Sequence, residues 1–356
     1  MQYLIESQLI LEYTLHRTCV GGNKGIQKDL DDGIDTIGKK MTVCQLYAKQ
    51  IRHRGNVRYN TKNGRKRLMK LLEEDKLGGC PIDSVKLSDA KEWAIRMKEK
   101  EISYKTISND KRSLKAAFYT AIQDDCIRKN PFDFQLNTVI EDDTEPKVPL
   151  TPAQEESFLS FAQNDKVYQK YYDELIILLG TGLRISELCG LTDTDINFEN
   201  RIINVDHQLL RSAETEYYIE TPKTKSGIRQ IPMSEKVYEA FNRVLKRSRG
   251  AKAVTIDGYS NFLFLNRDGY PKTATNYDGM FRGLAKKYNK YHEEALPKVM
   301  TPHTLRHTFC TNMANAGMNP KALQYIMGHS NITMTLNYYA HATFDSAKAE
   351  MLRIAA

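Results

Sequence analysis

The stretch "TPHTLRHTFCTNMANAGMNP", Thr301–Pro320, concentrates His303, Arg306 and His307 at the start of a predicted helix. Phe309 and Met313 follow with helical spacing and are expected in a core. A helix that only filled a core would have no use for two imidazoles and a guanidinium in its first turns. The explanation has to come from the rest of the chain.

A metal site is one explanation for the two imidazoles. His303 and His307 are four residues apart, the spacing of the two ligands in H-E-x-x-H zinc sites. However, the residue after His303 is a threonine, and no third ligand is obvious in the sequence. The sequence therefore disfavours a metal, and we expect neither a metal ion nor another cofactor.

The composition limits the classes of protein. A chain of 356 residues, 41% of them hydrophobic, is long enough for two cores. The first residues show no basic segment or cleavage site of a signal peptide, and no apolar run is long enough to span a bilayer. The 6 cysteines are scattered without a C-x-x-C pair. These features predict a cytoplasmic protein with reduced thiols, without a membrane segment, disulfide framework or zinc ribbon.

Charge is distributed unevenly along the chain. Residues 41–130 contain 21 Lys and Arg against 11 Asp and Glu, whereas the whole chain has a net charge of +8. Such a basic region suits a polyanion, most simply a nucleic-acid backbone. A solvated, lysine-rich surface is the alternative that charge alone leaves open.

The composition changes at "EDDTEPKVPLTP", Glu141–Pro152, whose acids and three prolines predict a linker. Before it, we predict only helices. One is expected to begin with Ser88 as its cap and to bury one face, and the next is expected to bury a second face and to expose a basic one. The predicted buried faces are Ala90, Trp93, Ala94 and Met97, then Ile107, Leu114, Phe118, Ala121 and Ile122. The predicted basic face consists of Lys111, Arg112 and Lys115, our first choices for phosphate contacts.

After the linker the pattern is mixed. Thr151 and Gln154 form a predicted capping box with proline at the first helical position. A buried helix is expected to end at Gly182, and a second helix to start near Arg184. Two strand-like segments follow, "RIINVD" and "EYYIETPKTKSGIRQIPM", the second predicted to be a hairpin that turns at residues 225–227.

Several polar residues are unremarkable one by one but form a chemical set in chain order. They are Arg184, Lys225, His303, Arg306, His329 and the adjacent Tyr338 and Tyr339. Guanidinium groups can grip the oxygens of a phosphodiester in its pentacoordinate state, as Mg²⁺ does elsewhere. Imidazoles can donate to the same oxygens or accept a proton, a lysine can protonate the leaving 5′-hydroxyl, and a phenol can attack. The set therefore predicts phosphoryl transfer by a covalent tyrosine.

The order R…K…H-x-x-R…G-H…Y resembles the tyrosine recombinase (phage integrase) family. Its successive boxes are matched by "TGLRISEL", "TPKTKSGIRQIP", "TPHTLRHTF" and "MGHSNITMTLNYYAH". More narrowly, "GKKMTVCQLYAKQ", "AIQDDCIRKNPFDFQL", "HQLLR" and "NAGMNPKALQYIMGH" are similar to the integrases of conjugative transposons. The resemblance extends over roughly residues 41–350.

The resemblance implies a helical core-binding domain and a mixed α+β catalytic domain that clamp duplex DNA in a C shape. It implies cleavage through a 3′-phosphotyrosine without metal or ATP, and self-association to a tetramer on DNA. An excisionase and a host DNA-bending protein are further partners of such a recombinase. We divide the chain into a remnant of, or linker from, an N-terminal arm-binding region (1–40), a core DNA-binding domain (41–140), a linker (141–152), a catalytic domain (153–342) and a tail helix (343–356). The tail is expected to pack either on its own domain or on a neighbouring protomer.

The resemblance also assigns roles to residues. It implies that Arg184, Lys225, His303, Arg306 and His329 serve the phosphate, with His307 as support behind them. The spacing of nine residues from His329 favours Tyr338 as the nucleophile, whereas a Y-x-H ending with His341 favours Tyr339. We predict Tyr338, since the histidine and the nucleophile must meet at one phosphate.

Three functions remain open at this point. The leading prediction is a site-specific recombinase that integrates and excises a mobile genetic element. A chromosome-dimer-resolving recombinase would use the same chemistry. A DNA-binding regulator that has lost catalysis is the third, and it is disfavoured because all six catalytic positions hold the expected residue types.

Overall fold

The computed structural model describes residues 38–55, 57–145, 148–212, 214–222, 224–248, 254–339 and Met351. Residues 1–37 of the predicted remnant and all of the predicted tail except Met351 lie outside this part of the chain. The chain divides into two compact units, Met1–Glu145 and Pro146–Ala356. The division falls inside the segment predicted as a linker.

The described part of the first unit is helical. A short 3-10 turn, Gly38–Lys40, precedes α1 (Val43–His53), α2 (Tyr59–Glu73), α3 (Leu87–Glu99) and α4 (Tyr104–Gln123), and a second 3-10 turn is formed by Leu136–Thr138. The predicted apolar faces of α3 and α4 are confirmed as core, except that Ile122 is only partly buried. Trp93 and Phe118 both pack against Phe132, a residue of the loop after α4.

The predicted cap of α3 is wrong. The helix begins at Leu87, with Lys86 as its N-cap, so that Ser88 lies inside the first turn. The carboxylate of Asp89 accepts a hydrogen bond from the Lys86 backbone N–H at 2.8 Å. This acidic side chain satisfies the end of the helix that the Ser88 hydroxyl was expected to satisfy.

The helices of the second unit surround two small antiparallel sheets. They are α5 (Pro152–Asn164), α6 (Tyr172–Thr181), α7 (Ile185–Gly190), α8 (Glu235–Ser248), α9 (Ala274–Tyr291), α10 (Pro302–Asn315), α11 (Pro320–Met327) and α12 (Thr333–Leu336). The predicted capping box at the start of α5 is confirmed. The strands are β1 (Ile196–Asn197), β2 (Ile202–Val205), β3 (Gln208–Ser212), β4 (Glu216–Glu220) and β5 (Arg229–Pro232).

The predicted hairpin around residues 225–227 is wrong. β5 pairs with β2, in a sheet of order β1-β2-β5, and β4 pairs with β3 instead. The β2–β5 register places Ile203 opposite Ile231, and both are buried. Burial of this apolar pair outweighs the short connection that would favour a hairpin.

The core of the second unit has two parts. The larger one lies between α5–α9 and the sheets, whereas a smaller cluster joins α10 to α11 through Phe309, Cys310, Leu323 and Met327. α10 contributes to both, since Leu305 belongs to the larger core. The start of α10, with its imidazoles and guanidinium, is thereby held firmly at the junction of the two clusters. No helix of the described residues is long and apolar enough to cross a membrane.

Candidate active site

Arg184 is positioned by the glycine turn that separates α6 from α7. Gly182 ends α6 in the left-handed conformation, with φ of 64°. A Cβ at this position would also lie 2.5 Å from Phe309 and 2.9 Å from the sulfur of Met327. Only glycine fits both the angle and the close approach. The turn leaves Arg184 at the N-cap of α7, where the sequence predicted that a helix starts, and the side chain is half-buried.

The guanidinium of Arg184 has two acceptors. It donates to Glu187 Oε1 at 2.7 Å and to the carbonyl oxygen of Gly328 at 3.0 Å. The second acceptor lies 144 residues away in the chain. Arg184 therefore connects the start of α7 to the turn after α11.

Arg306 is buried, with 3% of its surface exposed, and projects from α10. Its two terminal nitrogens donate to the carbonyl oxygens of Gly182 and Met327. Burial and the neighbouring Arg184 lower the pKa of Arg306 to about 9, against the attraction of Glu187. A buried cation held by neutral carbonyls is destabilised by its surroundings, and an anion would relieve it.

A buried ion pair that the sequence did not predict lies behind the two arginines. Arg229 donates to both oxygens of Glu187, at 2.8 and 3.1 Å, and to the carbonyl of Ile326 at 2.6 Å. Burial by itself would raise the pKa of Glu187, but Arg229, followed by Arg184 and Arg306, lowers it to about 2. The alternation of residues in β5 could have predicted it, since Arg229 lies on the same inward face as Ile231. A cation buried on that face needs a negatively charged partner.

The charge of this cluster is unbalanced. Arg184, Arg229 and Arg306 surround a single carboxylate, that of Glu187. Each of the three also donates to main-chain oxygens, which carry only partial negative charge. The arrangement is therefore a preformed cationic site that suits an anion.

His329 follows α11 after Gly328, which is also left-handed, with φ of 61°. Its ring is buried, and Nδ1 lies 2.9 Å from the hydroxyl of Thr335. Burial, and then the charges of Arg306 and Arg184, lower its pKa to about 4. His329 is consequently neutral at neutral pH, able to donate a hydrogen bond without adding charge.

Lys225 and His303 are both exposed. Lys225 lies in the 3-10 turn Lys225–Gly227, whose Ser226 carbonyl is 3.0 Å from the position of a Cβ on Gly328. The lysine turn is thus packed beside the turn that carries His329. His303 lies in the first turn of α10, edge-on to His307 with ring centroids 4.8 Å apart.

The two adjacent tyrosines have different partners. The hydroxyl of Tyr338 is hydrogen-bonded to Nδ1 of His307, and burial raises the pKa of Tyr338 to about 12. The hydroxyl of Tyr339 donates instead to the main-chain carbonyl of Met318. Both rings pack against the small cluster of α10 and α11. The two phenols therefore cannot serve one reaction centre from these positions.

The three residues predicted to contact phosphates, Lys111, Arg112 and Lys115, all bond to other groups of the helical unit. Lys111 Nζ donates to the carbonyl of Phe134, and Lys115 Nζ lies 2.5 Å from a carboxylate oxygen of Asp133. Arg112 is exposed and donates to Asn109 at 3.2 Å. α2 carries a second set of cations around a groove of about 510 Å³. They are Lys62, Arg65, Lys66 and Lys70.

One group of side chains in the described part of the chain has ligand atoms close enough for a metal ion: Asp195, Asp206 and His207. Both ring nitrogens of His207 are already engaged, Nδ1 with Asp206 at 2.6 Å and Nε2 with the Gly190 carbonyl at 2.8 Å. Asp195 accepts from the Thr192 backbone. The group is explained by these internal bonds and does not fit a metal site.

Comparison with known proteins places this site in a family. Residues 149–346 match the model of the phage integrase family. The transposase of transposon Tn916 from Enterococcus faecalis is 68% identical over 329 residues, which are 92% of this chain and 81% of that protein. The tyrosine recombinase XerC of Bacillus pumilus is 25% identical over 268 residues, 75% of this chain and 80% of that one.

Solved structures of the Tn1549 transposon integrase are similar over both units. The complex with a circular intermediate DNA has a TM-score of 0.85 and 77% identity, covering 88% of this chain and 99% of that chain. The complex with transposon right end DNA has a TM-score of 0.84 and 77% identity, covering 89% and 100%. The predicted combination of a helical domain with a mixed α+β catalytic domain is confirmed.

Three findings point to the same family. They are the order of arginines, imidazoles and tyrosines in the site, the match to the family model, and the close similarity to transposon integrases. The prediction of a recombinase of mobile elements is confirmed over the chromosome-dimer-resolving and regulatory alternatives. This chain belongs to the phage integrase family, as a tyrosine recombinase of the mobile-element type that cleaves and rejoins DNA.

Proposed function

We propose that this recombinase integrates and excises its element through a 3′-phosphotyrosine intermediate formed by Tyr338. The observation that carries the proposal is the cationic excess around Glu187. Arg184 and Arg306 point their guanidiniums at main-chain oxygens that a phosphate can replace as acceptor. A phosphodiester would bring the negative charge that this buried cluster lacks.

Each remaining group has a role in the transfer. Arg184 and Arg306 hold the non-bridging oxygens, and His303 and His329 donate hydrogen bonds to them. Lys225 gives a proton to the leaving 5′-oxygen. Because guanidiniums supply the charge that a metal ion supplies in other phosphoryl transferases, the reaction proceeds without metal or ATP.

Two observations support Tyr338 over Tyr339. Two solved structures of the Tn1549 integrase carry, respectively, an arginine-to-lysine and a tyrosine-to-phenylalanine substitution, at positions 154 apart in that protein. Arg184 and Tyr338 are also 154 positions apart, whereas Tyr339 is one further. In addition, the hydroxyl of Tyr338 contacts an imidazole, and that of Tyr339 contacts a backbone carbonyl, which cannot accept its proton.

The DNA partner is double-stranded DNA at the ends of the element and at its attachment sites. Solved structures show the Tn1549 integrase in complex with transposon right end DNA and with a circular intermediate DNA, and 77% identity supports the same class of substrate here. In the helical unit, Arg112 and the α2 cations Lys62 and Arg65 contact phosphates. Lys111 and Lys115 also contact phosphates, after their bonds to the Phe134 carbonyl and to Asp133 break. Strand exchange takes place in a tetramer in the bacterial cytoplasm, with an excisionase and a host DNA-bending protein as partners.

A nicked "suicide" duplex with the element's end sequence tests the proposal. In EDTA, the wild-type protein should form a covalent protein–DNA adduct, which denaturing electrophoresis detects. Tyr338→Phe should form none while binding the duplex normally, and Tyr339→Phe should still form it. Strict Mg²⁺ dependence would contradict the metal-free reaction, and an adduct with Tyr338→Phe would move the nucleophile.

A further inference from the structure

The phenol of Tyr338 needs a proton acceptor. Its ring is half-buried beside Cys310 and Phe309, and burial raises its pKa to about 12. The neutral phenol is a weak nucleophile, and no carboxylate contacts it among the described residues. A base within hydrogen-bond reach is the usual way to activate such a group.

Three imidazoles of the second unit are candidates, and their surroundings differ. His329 has Nδ1 on the Thr335 hydroxyl and a pKa of about 4, which makes it a weak base at neutral pH. His303 is exposed, with its ring beside that of His307. His307 Nδ1 contacts the Tyr338 hydroxyl itself, with ring centroids 5.5 Å apart. Geometry therefore singles out His307.

We propose that His307 is the catalytic base for Tyr338, an assignment that rests on the proposed function. As Tyr338 Oη attacks phosphorus, the phenol proton passes to His307 Nδ1. The new O–P bond replaces the P–O5′ bond, whose electron pair stays on the 5′-oxygen and is protonated by Lys225. On resealing, the 5′-hydroxyl attacks phosphorus and returns its proton to Lys225, the O–P bond to Tyr338 breaks, and the phenolate recovers its proton from His307.

The fold holds His307 for this task. His307 lies on α10 one residue after Arg306, whose guanidinium is fixed by the carbonyls of Gly182 and Met327. His303, one helical turn earlier, lies edge-on against the His307 ring and limits its rotation. The phosphate-binding arginine and the base are thus carried on one rigid helix, so that the distance between them is fixed before DNA binds.

The first test compares single-turnover adduct formation on the nicked duplex. His307→Ala should slow the adduct about 10²- to 10⁴-fold, the usual contribution of a general base, with unchanged DNA affinity. Free imidazole should restore part of the rate, because it can enter the space left by the ring. His307→Asn retains an acceptor near the Nδ1 position but no base, and should remain slow.

A matched control is His292→Ala. His292 also stacks on a tyrosine, Tyr288, with centroids 3.8 Å apart, but outside the site. This variant should cleave at the wild-type rate and show no response to imidazole.

A second substrate separates activation of the tyrosine from protonation of the leaving group. A 5′-bridging phosphorothiolate releases a thiolate, which needs no proton. This substrate should restore Lys225→Ala but not His307→Ala. The assignment is overturned if it restores His307→Ala, if His307→Asn cleaves at the wild-type rate, or if His307→Ala cleaves as fast as or faster than wild type.

Failure of the proposed function would look different. In that case the wild-type protein itself would form no adduct, or Tyr338→Phe would form one. If the wild type cleaves, Tyr338→Phe does not, and His307→Ala is unaffected, only the assignment of His307 is wrong.

Discussion

In the helical unit the buried carboxylates of Asp75 and Asp110 are each bound by one arginine, whereas in the catalytic unit three arginines lie around one glutamate. Arg96 binds Asp75 through two hydrogen bonds of 2.7 and 2.8 Å. Arg67 binds both oxygens of Asp110. Around Glu187, by contrast, Arg184 and Arg229 share the two carboxylate oxygens, while the nearby Arg306 donates only to main-chain carbonyls.

The difference separates a structural arrangement from a chemical one. A balanced pair satisfies itself and has no need of a ligand. An unbalanced cluster is stable only because the fold enforces it, and it gains from an incoming anion. Local excess of charge, more than the presence of arginine, therefore marks the proposed site of DNA cleavage.

The largest expected effect tests this difference at one arginine in each unit. Arg184→Lys keeps the charge but loses the planar fork, and should lower the rate of adduct formation about 10²- to 10³-fold, the scale of one preorganised stabilising group. The matched variant Arg96→Lys should affect stability alone. Single-turnover cleavage at saturating protein concentration gives the rate of each variant. Equal losses of rate in Arg184→Lys and Arg96→Lys would contradict the distinction between a chemical and a structural arginine.

An effect of comparable size is expected on stability. Glu187→Gln leaves Arg229, whose side chain is 0% exposed, without its counter-charge and should cost about 3–5 kcal/mol. Asp110→Asn should cost less, because the Arg67 side chain is 43% exposed and water can solvate it. Urea unfolding followed by probes in each unit gives the two losses. A greater loss for Asp110→Asn would contradict the comparison.

Acid should change the contributions of Glu187 and Asp110 to the free energy of unfolding in opposite directions. The pKa of Glu187 is about 2, below its ordinary 4.5. Its stabilisation is therefore complete above about pH 4.5 and is lost as the pH falls toward 2. Burial outweighs Arg67 and raises the pKa of Asp110, so that its protonation favours the folded helical unit. Relative to wild type, Glu187→Gln should flatten the loss of stability in acid, whereas Asp110→Asn should steepen it.

The smallest effect concerns binding. If Lys62 contacts a phosphate, Lys62→Gln should reduce the salt dependence of DNA affinity by about 0.9 in the log–log slope. Lys115→Gln should reduce it less, because Asp133 already holds that ammonium group. Affinities measured by fluorescence anisotropy over a range of salt concentrations decide this. Equal changes would restore Lys115 as a contact of full strength.

Features that depend on neighbouring positions could be predicted from the sequence. The glycine break before Arg184, the box at Thr151 and the buried faces of α3 and α4 all follow from short-range spacing. The order of the family's boxes gave the membership and the fold class. These features need only the chain's local periodicity or a pattern of residue types.

Features that depend on partners far apart in the sequence could not be predicted. The pair of Glu187 and Arg229 spans 42 positions, and the contact of Tyr338 with His307 spans 31. The pairing of β5 with β2 was missed for the same reason, since a hairpin is the local solution and burial decided otherwise. The sequence predicts His307 only as support, because it shows that His307 follows Arg306 but does not show its contact with Tyr338.

The acceptors of the arginine cluster are main-chain oxygens, those of Gly182, Ile326, Met327 and Gly328. A carbonyl group is common to every residue, so substitution of a side chain cannot delete it. During evolution, the side chains at 326 and 327 are therefore free to vary with the packing around them. The constraint falls on Gly182 and Gly328, where a Cβ would strain the backbone and meet its neighbours. Diversification of DNA specificity can thus proceed around the proposed cleavage centre, whose inheritance depends mainly on two glycines and the cations they orient.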